Sequence, residues 1–197
     1  MEAAYNDVKF LIATATASHL ALKEKHRAFD EIVRQYQDLA YGYAYAVLGQ
    51  FELAEDAAQE AFLAAWRSLD QLREPEAFPA WLKRIVLTQC SRLTRGKQLE
   101  LVPLEAAAAL PSTEPDPYRA AEQSALRERV SAEVQALPEN ERVVTTLFYI
   151  SEYSLKEIGA FLELPVTTVK KRLWSARQKL RHKMLDLVRD TLQERRP

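Results

Sequence analysis

Apolar side chains recur along most of this chain every three or four positions, the spacing that lines one face of a helix. The first long series is Phe29, Ile32, Val33, Tyr36, Leu39, Ala40, Tyr43 and Val47, with charged residues between them and Gly49 behind. It predicts a helix over 29–48 that the glycine stops. Ala57, Ala61, Phe62, Ala65 and Trp66 predict a second helix over 53–69. A loop holding Pro75 and Pro79 follows, then a third helix over 80–94 on Trp81, Leu82, Ile85, Val86 and Leu93, stopped by Gly96. Between 98 and 117 the periodicity fails. Pro103, Pro111, Pro115 and Pro117 interrupt it, and Glu100, Glu105, Glu114 and Asp116 make it acidic, the composition of a flexible linker.

Helical spacing returns over 118–137, 139–150, 155–162 and 166–193. Ser154 and Glu157, three apart, form a capping-box pattern at the head of the third of these segments. No segment alternates with the period of a strand. The expected fold is all-α, with two small helical domains joined by a flexible, acidic, proline-containing linker. The second is a four-helix domain holding a helix-turn-helix. The expected boundaries are an N-terminal extension over 1–28, an extra helix or a regulatory arm, then a first domain over 29–97, the linker over 98–117 and a second domain over 118–197.

Net charge adds little until it is divided. The 27 basic and 28 acidic residues leave a formal charge of -1. Yet from Pro165 to Met184 there are seven bases and no acid, and from Glu52 to Glu60 four acids and no base. The two ends therefore suit different partners, phosphate at one and a basic protein surface at the other. Cys90 is the single cysteine, which excludes an internal disulfide and a cysteine-based zinc site and fits a reducing cytoplasm. His19, His26 and His182 have no metal-ligand spacing, so neither a metal nor another cofactor is expected. The apolar stretch Phe10–Leu22 has Glu2 and Asp7 before it and only Lys9 as a base, a poor signal-peptide flank, and it is too short to cross a bilayer. The expectation is a cytoplasmic protein without membrane insertion.

The chemistry of the last helix distinguishes it from an ordinary helical hairpin. Its apolar stripe leaves Thr167, Thr168, Lys170, Lys171, Trp174 and Ser175 available near its N-terminus, the end that enters the major groove in a helix-turn-helix. Lysine and serine can bond base edges or phosphates, while threonine hydroxyls and a helix N-terminus can hold a phosphate. Arg172, Arg177, Lys179 and Arg181 can follow the DNA backbone. The alternative is a solvated basic face, and Trp174 is either core or an apolar contact to a thymine methyl.

The run Leu137-Pro138-Glu139-Asn140-Glu141-Arg142, then Glu157-Ile158-Gly159 and Thr168-Val169-Lys170-Lys171-Arg172-Leu173-Trp174-Ser175-Ala176-Arg177, resembles the fourth-region domain of extracytoplasmic-function sigma factors, promoter-recognition subunits of bacterial RNA polymerase. The resemblance implies that this domain reads the upstream −35 promoter element through Thr167, Thr168, Lys170, Lys171, Arg172, Trp174, Ser175 and Arg177. Ala54-Glu55-Asp56-Ala57-Ala58-Gln59-Glu60-Ala61-Phe62, followed by Ala65-Trp66, is similar to the family's second-region helix. There, acidic and amide positions grip a coiled coil of the polymerase β′ subunit, which implies Glu55, Asp56, Gln59 and Glu60 as polymerase contacts. Phe78-Pro79-Ala80-Trp81-Leu82-Lys83-Arg84-Ile85 is similar to the family's tryptophan-leucine motif. It implies Arg84, Gln89, Arg92, Arg95 and Lys97 as contacts to the opened −10 strand, and Asp70–Phe78 as the loop that captures a flipped base.

The implied partners are core RNA polymerase (its β′ coiled coil and β flap), promoter DNA and an anti-sigma factor. Three places depart from the family pattern. An asparagine is replaced around Thr88–Cys90, Glu163 stands where the turn usually has glycine, and Val166-Thr167 replace a frequent Glu-Gly pair. A helix-turn-helix regulator that acts without polymerase is the competing reading, and it predicts a palindromic site. No nucleophilic triad, glycine-rich phosphate loop or metal constellation supports an enzyme.

Overall fold

The computed structural model describes residues 2–96 and 128–194, and no strand occurs among them. Helices α1 (Glu2–Thr16), α2 (Leu22–Leu48), α3 (Phe51–Ser68) and α4 (Phe78–Gly96) form the first half, with two 3-10 turns, Leu69–Gln71 and Pro75–Ala77, between α3 and α4. The second half holds α5 (128–135), α6 (Glu139–Tyr149), α7 (Leu155–Leu162) and α8 (Val166–Glu194). The linker expected over 98–117, and Lys97 with it, lies outside the described residues.

Local signals explain most element ends. Gly49 closes α2 in the left-handed region (φ 71°), and its N–H donates to Tyr45 O at 2.8 Å. The capping box at α7 forms as expected: Glu157 N–H donates to Ser154 Oγ at 3.3 Å, and Ser154 N–H to Glu157 Oε2 at 2.8 Å. Two starts differ from the periodicity. Helix α4 begins at Phe78 rather than Ala80, because Pro79 has no N–H to lose in a first turn and its fixed φ suits a helix. Helix α2 begins at Leu22, and Glu24 accepts the Ala21 N–H at 3.1 Å. Residues 23–27 are polar and mostly exposed, so they carry no stripe to read.

The two halves pack against each other. A continuous core runs from Ile32, Leu39 and Tyr43 of α2, through Leu82 and Val86 of α4, to Val144 and Leu147 of α6 and Ile158 and Phe161 of α7. Gly42 allows the closest approach, since a Cβ there would collide with Ser151 Oγ. Tyr43 meets Phe161 edge-on at 5.5 Å. Arg142, the arginine of the leucine-proline motif, donates from Nε to Ala46 O at 2.5 Å and from Nη1 to Gln135 O at 2.8 Å. It thereby satisfies a carbonyl near the end of α2 and one at the end of α5, groups that a helix C-terminus leaves free.

Candidate nucleic-acid interface

Pro165 opens α8 by accepting the N–H groups of Thr168 (2.8 Å) and Val169 (3.2 Å), so the first turn is ordered from its start. Val169, Leu173 and Ala176 are buried and fix the rotation of the helix. That rotation exposes Thr167, Lys170, Lys171, Trp174 and Arg177, and leaves Thr168, Arg172 and Ser175 half-buried. Trp174 is 65% exposed, which decides against a core role. Together with Phe148, Leu155, Lys170, Lys171 and Arg177 it lines an open groove of about 490 Å³. Arg177 leans back over α6, donating to the Tyr149 hydroxyl at 2.6 Å, with its guanidinium 5.6 Å from the Tyr149 ring and 5.9 Å from that of Phe148. Ser175 turns the other way, donating to Glu141 Oε1 at 3.0 Å beside Lys179 at 2.7 Å.

The turn before α8 carries the departure noted in the sequence. Glu163 adopts the left-handed conformation (φ 59°, ψ 44°) that glycine adopts without cost. Gly159 compensates on the helix side, where a Cβ would stand 2.8 Å from Leu164 O, and Leu164 N–H donates to Gly159 O at 2.9 Å. The Glu163 carboxylate accepts Lys83 Nζ at 2.8 Å and Arg84 Nη2 at 3.2 Å, both from α4. Lys83 also donates to Leu162 O, the carbonyl end of α7, at 3.3 Å. The hydrogen bond and charge of Lys83, with Arg84 adding to them, hold the Glu163 carboxyl below its usual value of 4.5.

On α4, Arg84, Arg92 and Arg95 are exposed, at steps of eight and three that keep them on one helical face. Gln89 sits off that face, 7% exposed, and accepts Arg92 Nη1 at 3.4 Å. Arg95 Nε donates to Ser91 O within its own helix. Trp81 is half-buried against Phe78, 5.8 Å between rings, as a packing residue. Cys90 is buried, and burial pushes its thiol up to about 11.

Glu55, Asp56, Gln59 and Glu60 are all exposed on α3, and Gln59 Nε2 donates to Glu55 Oε1 at 3.3 Å. Glu55 and Gln59 rim an open groove of about 760 Å³ between α2 and α3, while Asp56 and Glu60 stand outside its lining. Its apolar floor is Phe29, Val33, Phe62, Leu63 and Trp66, and Asp30 and Asp38 complete the acidic rim. Sequence reasoning missed the α2 contribution. Asp30, Val33, Gln37 and Tyr41 do recur at three- and four-residue steps, a polar edge beside the core stripe that only the position of α3 turns into a groove wall. Burial raises the Tyr41 phenol above its usual value, with smaller contributions from Tyr45 and Glu55.

Comparison with known proteins follows the same division. Residues 32–100 match the Sigma-70 region 2 family and residues 127–180 the Sigma-70 region 4 family. The ECF RNA polymerase sigma factor SigW of Bacillus subtilis is 34% identical over 169 residues, 81% of this chain and 90% of that protein. SigE of Mycolicibacterium smegmatis is also 34% identical, over 78% of this chain and 60% of its own length. Among solved structures, CnrH in complex with the cytosolic domain of CnrY aligns with a TM-score of 0.60 at 28% identity, covering 92% of this chain and 98% of that one. The sigma factor RpoE of Bartonella quintana, in complex with the anti-sigma factor NepR, shares the fold at 19% identity and a TM-score of 0.52. The chain belongs to the extracytoplasmic-function sigma factors, proteins that direct transcription initiation and catalyse no reaction themselves.

Proposed function

We propose that the chain binds core RNA polymerase through the α2–α3 groove, reads the −35 element with the start of α8, and contacts the opened −10 strand with α4 and the loop before it. The observation that carries this reading is the separation of two chemistries on one chain. An apolar groove with an acidic rim lies on the first half, and a basic helix N-terminus projects from the second. The groove suits a helical partner with apolar anchors and basic flanks, such as the β′ coiled coil. Lys170 and Lys171 are exposed and make no ion pair among the described residues, so they are free for phosphate or base edges. The β flap and an anti-sigma factor are further partners in this reading, and the cytoplasm is its compartment. Among the described residues no helix is long and apolar enough to cross a membrane.

Distance adds a condition. Elements named −10 and −35 lie about 25 base pairs apart, about 85 Å of duplex. A compact chain of this length is on the order of 40 Å across. Both elements can be engaged together only when the contact between the halves opens, and core polymerase supplies the binding energy for that.

The test pairs a pull-down with run-off transcription on a pool of genomic fragments, using core polymerase and the chain with and without Leu63→Arg and Glu55→Arg. Losing a central apolar anchor costs about 2 kcal/mol or more, roughly thirtyfold in affinity. The double variant is expected to lose core binding and run-off while retaining its fold. Undiminished core binding by the variant would place the polymerase contact elsewhere. Tight binding of a palindrome without polymerase, and no run-off, would favour the regulator.

A further inference from the structure

Helix α1 lies ahead of the matched region 2 segment, which begins at residue 32. It is nevertheless built into the core. Val8, Ile12 and Ala15, at steps of four and three, are 5%, 3% and 5% exposed, and they join the same apolar cluster as α2. Besides α2, the helix packs against both 3-10 turns of the loop between α3 and α4. Lys9, one position past Val8, pairs with Glu76 in the second of those turns at 3.2 Å.

The loop needs such support. Its ends are anchored, with Leu69 at 2% and Phe78 at 0% exposure, but residues between them are exposed or half-buried. Its backbone bonds include Leu72 N–H to Leu69 O at 3.2 Å in the first turn, and Ala77 N–H to Glu74 O at 2.9 Å and Phe78 N–H to Pro75 O in the second. Short 3-10 turns hold their geometry poorly alone. A base pocket must be fixed to fractions of an ångström to discriminate bases, and supporting contacts to the reading elements provide that.

We infer that α1 is a positioning element for the loop Asp70–Phe78, with the Lys9–Glu76 pair as its polar clamp, so that the N-terminal helix tunes which −10 base is accepted. The inference rests on the reading of that loop as the −10 base reader. It assigns α1 a part in promoter choice rather than in polymerase binding.

The test uses holoenzyme reconstituted with the full chain carrying Lys9→Glu, Glu76→Lys or both, and a promoter series with each base at every −10 position. Both side chains are more than half exposed, so the substitutions leave the core intact. Each single change converts an exposed attraction into a repulsion. Each is expected to lower run-off by about three- to fivefold and to flatten the ratio between preferred and disfavoured bases. The double exchange restores both, and core affinity stays constant throughout. Unchanged base ratios in the single variants, or a double exchange that does not rescue them, would overturn the positioning role. Arg73→Ala with Glu74→Ala, measured in parallel, separates the two levels. If the loop pair alters base ratios while Lys9→Glu does not, the positioning role falls and the loop remains the reader. If the loop pair also leaves them unchanged, the loop is not the reader and the inference falls with it.

Discussion

The two candidate DNA-reading faces are both exposed but differ in how far their side chains are already engaged. At the start of α8, Lys170, Lys171 and Trp174 are exposed, and the buried stripe has already set the rotation of the helix. On α4, Arg84 is held by Glu163, which belongs to the turn of the other reader, and Gln89 is buried. On one face Lys170 and Lys171 make no ion pair among the described residues, and on the other Arg84 is engaged by the first one's turn. The lesson concerns coupling. A single carboxylate finishes the helix-turn-helix and also engages Lys83 and Arg84 of α4, so these two cations become fully available only when the halves part. Magnitudes say that this clasp does not itself hold the halves together. Exposed ion pairs contribute roughly 0–1 kcal/mol, whereas a continuous core and the charged hydrogen bonds of Arg142, about 1.5–3 kcal/mol each, contribute far more.

The comparison is broken most directly at the open face. Lys170→Ala and Lys171→Ala are each expected to weaken binding of holoenzyme to −35 duplex by roughly tenfold, about 1.4 kcal/mol, and each lost phosphate contact lowers the salt slope by about one. Filter binding across a salt series measures both. Equal affinities for variant and parent would move the upstream contact off α8.

A smaller effect is expected at the clasp. Glu163→Gly removes the carboxylate and relieves a left-handed conformation that costs a non-glycine residue about 1 kcal/mol. Stability is therefore expected to hold or rise slightly, while binding of single-stranded −10 DNA rises about two- to fivefold as Arg84 is released. The pH dependence has a definite sign. A carboxyl held below 4.5 in the folded protein contributes fully above that value, and its contribution disappears as pH falls through the lowered one. The parent and Glu163→Gly should thus differ in affinity for the −10 strand at neutral pH and converge in acid, a convergence that strand-binding titrations across pH would reveal. A difference that persists in acid would assign the effect to the backbone conformation rather than to the carboxylate.

Helices with a buried stripe were legible because periodicity reports burial. The capping box at Ser154 and the stop at Gly49 were legible because caps are local. The sequence leaves residues 1–28 open between an extra helix and a regulatory arm, although Val8, Ile12 and Ala15 do have helical spacing. Their apolar neighbours Phe10, Leu11 and Ala13 blur the period, and part of what packs against them, the 3-10 turns over 69–77, is distant in sequence. Arg84, Arg92 and Arg95 do share an exposed face, but Gln89, chosen with them by resemblance, turns inward. A motif match carries residue type, and only the rotation of α4 decides which way each residue points. The packing between the halves was also hidden, because Gly42, Arg142 and Tyr43 signal nothing until α2 and α6 are side by side.

Ser175 tests whether α8 is truly preset. It was grouped with the base-reading residues, yet its hydroxyl and Lys179 Nζ, one helical turn apart, converge on Glu141 Oε1. Glu141 is 8% exposed, and its other oxygen, Oε2, is buried without a hydrogen-bond partner. A carboxylate in that position needs every donor it has. Ser175→Ala is therefore expected to cost about 1 kcal/mol, lowering Tm by roughly 2–4 °C. Affinity for −35 duplex should stay within about twofold, since a neutral hydroxyl pointing inward contributes little to an interface dominated by phosphate contacts. Thermal melts and filter binding on the same preparation separate the two outcomes. An unchanged Tm with a tenfold loss of affinity would mean that Ser175 swings out to the groove when DNA arrives. The upstream face would then be assembled on binding, and the contrast between the two candidate readers would become one of degree.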